Sequence, residues 1–95
     1  MTTLRSMFAA AAAADLTFAI GADGDVDYQG SSVNKAMEAL DACDELDVTF
    51  YGARSGIPFR VGSIYFVRNE DSVSDIGNVC DAGGWANDWL DENCD

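Results

Sequence analysis

Turn-forming residues divide this chain into short segments whose apolar spacing switches between helical and period-two. The breaks fall at Gly21 with Asp23-Gly24, at Gly30, at Arg54-Ser55-Gly56, at Asn69 to Ser72 and at Gly83-Gly84. Before the first break, Thr2 or Thr3 can cap an alanine-rich helix over residues 3–14. Arg5 and the alanines superficially match a signal peptide, but Ala9 to Ala14 are weakly hydrophobic and Asp15 interrupts them early. Leu16 to Ile20, and then Val26 and Tyr28 alternating with Asp25 and Asp27, predict a hairpin with one buried face and one carboxylate face. Ser31 or Ser32 then caps a second helix to about Glu45, with Val33, Met37, Leu40 and Cys43 as its apolar stripe and Asn34, Glu38, Asp41 and Glu45 as its polar one.

Leu46 to Ala53 and Ile57 to Arg68 read as strands joined by the Arg54-Ser55-Gly56 turn, with Gly62 a candidate bulge. Ser72 or Ser74 starts a helical turn reaching Cys80. Trp85 to Asn93 forms a last helix with Trp85, Trp89 and Leu90 inward. The order α-ββ-α-ββ-α predicts an α+β fold, a four-stranded, mainly antiparallel sheet with helices on one face. At 95 residues it is a single acidic domain over 1–95, which buries roughly 60–65% of its unfolded surface.

Charge is the second constraint. Seventeen Asp and Glu stand against five Lys and Arg with no His, a net charge of −12. Phosphate affinity is supplied by cations, so this balance argues against direct binding to nucleic acid or anionic lipid. Nothing approaches the ~18–20 apolar residues of a membrane span. At about one charge per 1.7 Å of axis, twelve charges match ~20 Å of duplex DNA. A compact chain of this length is roughly 30 Å across, so its charge is of the same order as that of a duplex segment of similar length.

Three acidic clusters stand out as candidate partner-binding residues. Asp23, Asp25 and Asp27 match the start of a D-x-D-x-D calcium loop, but Tyr28 replaces the turn glycine and Asn34 the bidentate glutamate. Period-two spacing would place these three on one strand face roughly 6.6 Å apart. Asp41, Asp44 and Glu45 fall in the expected last turn of the second helix, beside Glu38, where the helix end is already negative. Asp88, Asp91 and Glu92 repeat the pattern in the last helix, with Asp95 at its end. Lysine suits both ends, yet Lys35 is the only lysine. Charges placed against local stability point to function, whereas a generally acidic surface adapted to high salt accounts for the same composition.

The absence of His removes the commonest general base and metal ligand. Cys43, Cys80 and Cys94 lack zinc spacing, so no metal or other cofactor is expected. Cys43 reads as a small core residue. Cys80 and Cys94 are spaced to close a loop onto the last helix, while the odd count and lack of an export signal favour reduced thiols in a cytoplasm. No phosphate loop, nucleophile elbow or dinucleotide fingerprint occurs, so no enzyme is expected. Tyr28, Tyr51, Tyr65, Phe59 and Phe66 read as core or sheet-face residues, and Arg54 and Arg60 as flanking the third and fourth strands.

In size and composition the whole chain resembles the small acidic anti-CRISPR and anti-restriction proteins that phages and mobile elements make, several of which look like DNA to their targets. The features carrying the resemblance are Asp23, Asp25, Asp27, the run Glu38 to Asp47 and the ending Trp85 to Asp95. It implies a partner, the positively charged DNA- or PAM-recognition surface of a CRISPR surveillance complex, type I foremost, or else a restriction enzyme. It also implies action in the bacterial host cytoplasm as a monomer or dimer. A structural or regulatory interaction module, such as a virion component or an antitoxin, and a calcium-binding module remain open on the same residues.

Overall fold

The computed structural model describes residues 3–22, 25–42, 44–68 and 72–93. Asp23, Gly24, Cys43, Asn69 to Asp71 (part of an expected turn), Cys94 and Asp95 lie outside the described residues.

Helix α1 (Leu4–Ala13) starts at Thr3, whose hydroxyl accepts from the Ser6 amide while the Ser6 hydroxyl accepts from the Thr3 amide. This reciprocal capping satisfies two orphan donors. Leu4, Met7, Phe8 and Ala11 form the buried stripe. Strands β1 (Thr17–Ala22) and β2 (Asp25–Gly30) make the expected hairpin. Helix α2 (Val33–Ala42) follows, with Ser32 Oγ accepting from the Lys35 amide at 3.4 Å. Strands β3 (Glu45–Arg54) and β4 (Ile57–Val67) form the longest hairpin. A short 3-10 turn (Ile76–Asn78), strand β5 (Val79–Gly84) and helix α3 (Trp85–Asn93) complete the chain.

The five strands form one sheet in the order β2-β1-β3-β4-β5, antiparallel throughout. Phe18, Ile20, Leu46, Val48, Phe50, Ile64 and Phe66 line its buried side, beneath α1 and α2 at one end and α3 at the other. Phe8 and Phe18 pack at 4.8 Å between ring centroids, and Trp85 covers Phe50 at 5.2 Å. No helix among the described residues is long and apolar enough to cross a membrane.

The fold is α+β as expected, with corrections to its details. The sheet has five strands, not four, and the order is α-ββ-α-ββ-β-α. Residues expected to continue a helical turn to Cys80 become the edge strand β5, because Phe66 to Gly62 of β4 offer an unpaired ladder that the 79–84 backbone fills. Helix α2 ends at Ala42 rather than near Glu45. The alternation Leu46, Val48, Phe50 demands a strand, and Glu45 is already paired with Val67 in it.

A bulge in β2 changes the carboxylate face. Ile20 faces Tyr28 but Gly21 faces Val26, leaving Asp27 as the extra residue. Val26 therefore turns to the solvent side at 60% exposure, not inward with Tyr28. The bulge expected at Gly62 of β4 is present one residue earlier. The bulge in β4 leaves out Val61, since Phe50 faces Gly62 and Tyr51 faces Arg60.

Candidate functional site

The uncovered side of the sheet is a polar floor, and its composition follows from strand parity. Leu46, Val48 and Phe50 go under the helices, so Glu45, Asp47, Thr49 and Tyr51 must face the other way. Register extends this floor across the strands. Asp47 lies between Gly21 of β1 and Tyr65 of β4, and Tyr65 faces Asp81 of β5. Thr49 lies between Ala19 and Ser63 in the next row.

Two shallow depressions share Asp47 and Thr49. One of about 560 Å³ is lined by these two with Arg60, Ser63, Tyr65 and Asp81, among others. The other, about 190 Å³, reaches Gly21, Asp25, Val26 and Tyr51. On strand geometry Glu45 and Asp47 stand about 7 Å apart along β3, and Asp47 and Asp81 about 9.5 Å apart across two strand spacings. The Tyr65 hydroxyl donates to Glu45 Oε1, fixing that carboxylate on the floor. Asp81 Oδ1 accepts from the Ala82 amide at 3.0 Å, folding its charge back along the edge strand. Arg60 donates to Ser63 Oγ at 2.9 Å, so a guanidinium borders the larger depression.

The acidic residues singled out from sequence divide between the two layers. Glu45 lies on the open floor and Asp27 at the β2 bulge. Asp25 pairs with Ala22 at the strand end. The bulge means that Asp25 and Asp27 do not continue a single period-two row, and Asp23 lies outside the described residues. Glu38 and Asp41 are exposed on α2, Asp44 is exposed between α2 and β3, and Asp88, Asp91 and Glu92 are exposed on α3. They form no single cluster. Among the described residues no three Cys, Asp or Glu side chains come together as a metal site.

The expected conflict at the end of α2 is relieved by a residue distant in sequence. Arg68 donates from Nη1 to Asp41 Oδ1 at 2.9 Å and to the Asp41 carbonyl at 3.3 Å. The guanidinium thus both neutralises Asp41 and caps the negative helix end. Asp44 and Glu45 lie beyond the helix, so neither opposes its dipole from within. The last turn of α3 holds Asp91 and Glu92 and no basic residue, so the conflict persists there.

Asp81 was not singled out from sequence, and Asp47 only as the end of an acidic run, not as a candidate binding residue. Asp47 was legible from its alternation with Leu46 and Val48. Asp81 was not, because its strand was not recognised. Comparison with protein families, with curated proteins and with solved structures finds no match for this chain.

Proposed function

We propose that this protein is an acidic decoy that occupies a cationic nucleic-acid groove, and that its target is a host defence complex, a type I CRISPR surveillance complex foremost or a restriction enzyme. The observation that carries the reading is the open floor. Glu45, Asp47 and Asp81 face solvent from one sheet at separations of about 7 to 12 Å, with no helix among the described residues over them. A carboxylate held on a strand loses little further freedom on binding, so its charge is available to a guanidinium or ammonium partner at low entropic cost. The exposed acids of α2 and α3 extend the negative field around the molecule and steer the encounter.

The mechanism is competition. Carboxylates take the places of phosphates, and nucleic acid is excluded while the decoy is bound. The test is phage plaquing on matched hosts, each carrying one CRISPR or restriction system, with and without this protein expressed. Restored plaquing in one host, lost in an Asp47→Lys, Asp81→Lys variant that remains folded, is the expected result. No rescue in any host, with the protein confirmed folded and expressed, refutes the reading and favours an interaction module of another kind.

A further inference from the structure

The β3–β4 hairpin outruns the sheet that carries it. Strand β1 begins pairing with β3 at Thr17–Tyr51, and β5 stops pairing with β4 at Gly62–Gly84, so residues 52–61 project as a two-stranded ribbon for about 10 Å. Its turn is tight, with Ser55 at φ 54° and Gly56 at φ 80°, the positive pair of a type I′ hairpin.

The ribbon differs chemically from the rest of the chain. Residues 52–61 contain Arg54 and Arg60 and no Asp or Glu, in a protein of net charge −12. Parity places Gly52, Arg54, Ile57 and Phe59 on the side that, further down the sheet, is covered by helices. Here none of the described helices covers it. Ile57 is 69% exposed and Phe59 43%, and the Arg54 guanidinium lies over the Phe59 ring at 5.7 Å. The patch continues the core, because Phe59 and Val61 close over Gly52 and Trp85 covers Phe50 at the ribbon base.

Strand addition is blocked at the β4 edge of the ribbon. In a two-residue hairpin the closing pair, Arg54 and Ile57, bonds inward, so the next pair, Ala53 and Pro58, points its polar groups outward. Pro58 has no N–H to offer there. At that edge a partner must therefore use side chains rather than ladder hydrogen bonds.

Acidic complements lie at the ribbon base on the same end of the molecule. Exposed Asp15 is two residues from Thr17, beside the C-terminal end of α1, whose last turn has no basic residue. Exposed Asp88 lies in the first turn of α3, which follows directly on Gly84. Arg54 is three residues beyond Tyr51, so two ribbons packed antiparallel bring each Arg54 to the other's base.

We infer that the ribbon is a dimerisation arm whose occupant is a second copy of this chain. The two ribbons pack face to face and antiparallel about a two-fold axis, Ile57 of each copy against Phe59 of the other and each Arg54 against Asp15 of the second copy, on the β1 side of the ribbon base. A two-fold contact is self-complementary, as this arrangement of an apolar centre with a cation at the tip and carboxylates at the base requires.

The test is sedimentation equilibrium of the full chain at physiological salt, from low to high micromolar concentration. A concentration-dependent dimer is expected. Ile57→Asp, at a site too exposed to threaten the fold, should weaken it by roughly tenfold or more, with unchanged circular dichroism. Arg54→Glu should weaken it too, and adding Asp15→Arg should restore part of the loss. A monomer throughout the range overturns the inference and leaves the ribbon to a different protein. So does a dimer indifferent to Ile57→Asp. A dimer that Ile57→Asp disrupts but the charge exchange leaves unchanged overturns the antiparallel arrangement. Plaquing does not enter this test, so its failure and that of the decoy reading are distinguishable.

Discussion

A methyl group on Gly62 would sit 2.8 Å from the Gly83 carbonyl oxygen and 2.8 and 2.9 Å from the amide nitrogens of Trp85 and Ala86. All three are backbone atoms, which cannot swing aside as a side chain would. Gly62 is the point where the start of α3 crosses β4, and its lack of a side chain lets Trp85 reach Phe50. Gly62→Ala should therefore cost about 2 kcal/mol or more, read as a lower urea midpoint. Gly56→Ala supplies the contrast. It has no neighbour within 4 Å, and its φ of 80° alone should make the substitution cost about 1 kcal/mol. Equal midpoints for the two variants would contradict the close crossing.

At the scale of elements, Arg68 links the end of β4 to the end of α2. Because the pair is partly solvated, Arg68→Ala should cost only about 0.5–1 kcal/mol. Hydrogen exchange should accelerate at residues 38–42 while the amides of β3 stay protected. Uniform acceleration across both elements would contradict a local capping role. This contact also reverses an expectation drawn from sequence. Asp41, expected to weigh against the helix end, is instead paired, so replacing Asp41, Asp44 and Glu45 together by Lys should lower the melting temperature through loss of the Arg68 pair and the Tyr65 hydrogen bond.

What was legible in the sequence depended on how local the cause was. Helix α1 was legible in Thr3 and the alanines, the β3–β4 turn in Ser55-Gly56, and the core side of β3 in Leu46, Val48 and Phe50. Strand β5 was hidden, since Gly83 and Gly84 read as a break and only the unpaired ladder of β4 makes 79–84 extended. The bulge at Asp27 was likewise invisible to a period-two count, and it decides which side Val26 faces. Of the candidate site, Glu45 was singled out but assigned to the end of α2 rather than to β3, Asp47 was available by parity, and Asp81 depended on the missing strand.

For the whole molecule, the asymmetry of the two sheet faces matters more than the total charge. One face is closed by three helices over an aromatic core. The other presents Glu45, Asp47 and Asp81 with Tyr51, Tyr65 and Thr49 and is stiffened by five paired strands. A decoy requires that combination, since it must hold charge in fixed positions without collapsing around it. The most direct measurement is a competition on a purified surveillance complex, identified by plaquing, in which the protein is titrated against bound target duplex and the ternary species is looked for. Mutually exclusive binding is predicted, with affinity falling as salt rises and reduced in the Asp47→Lys, Asp81→Lys variant. A stable complex containing both the protein and the duplex would contradict the account.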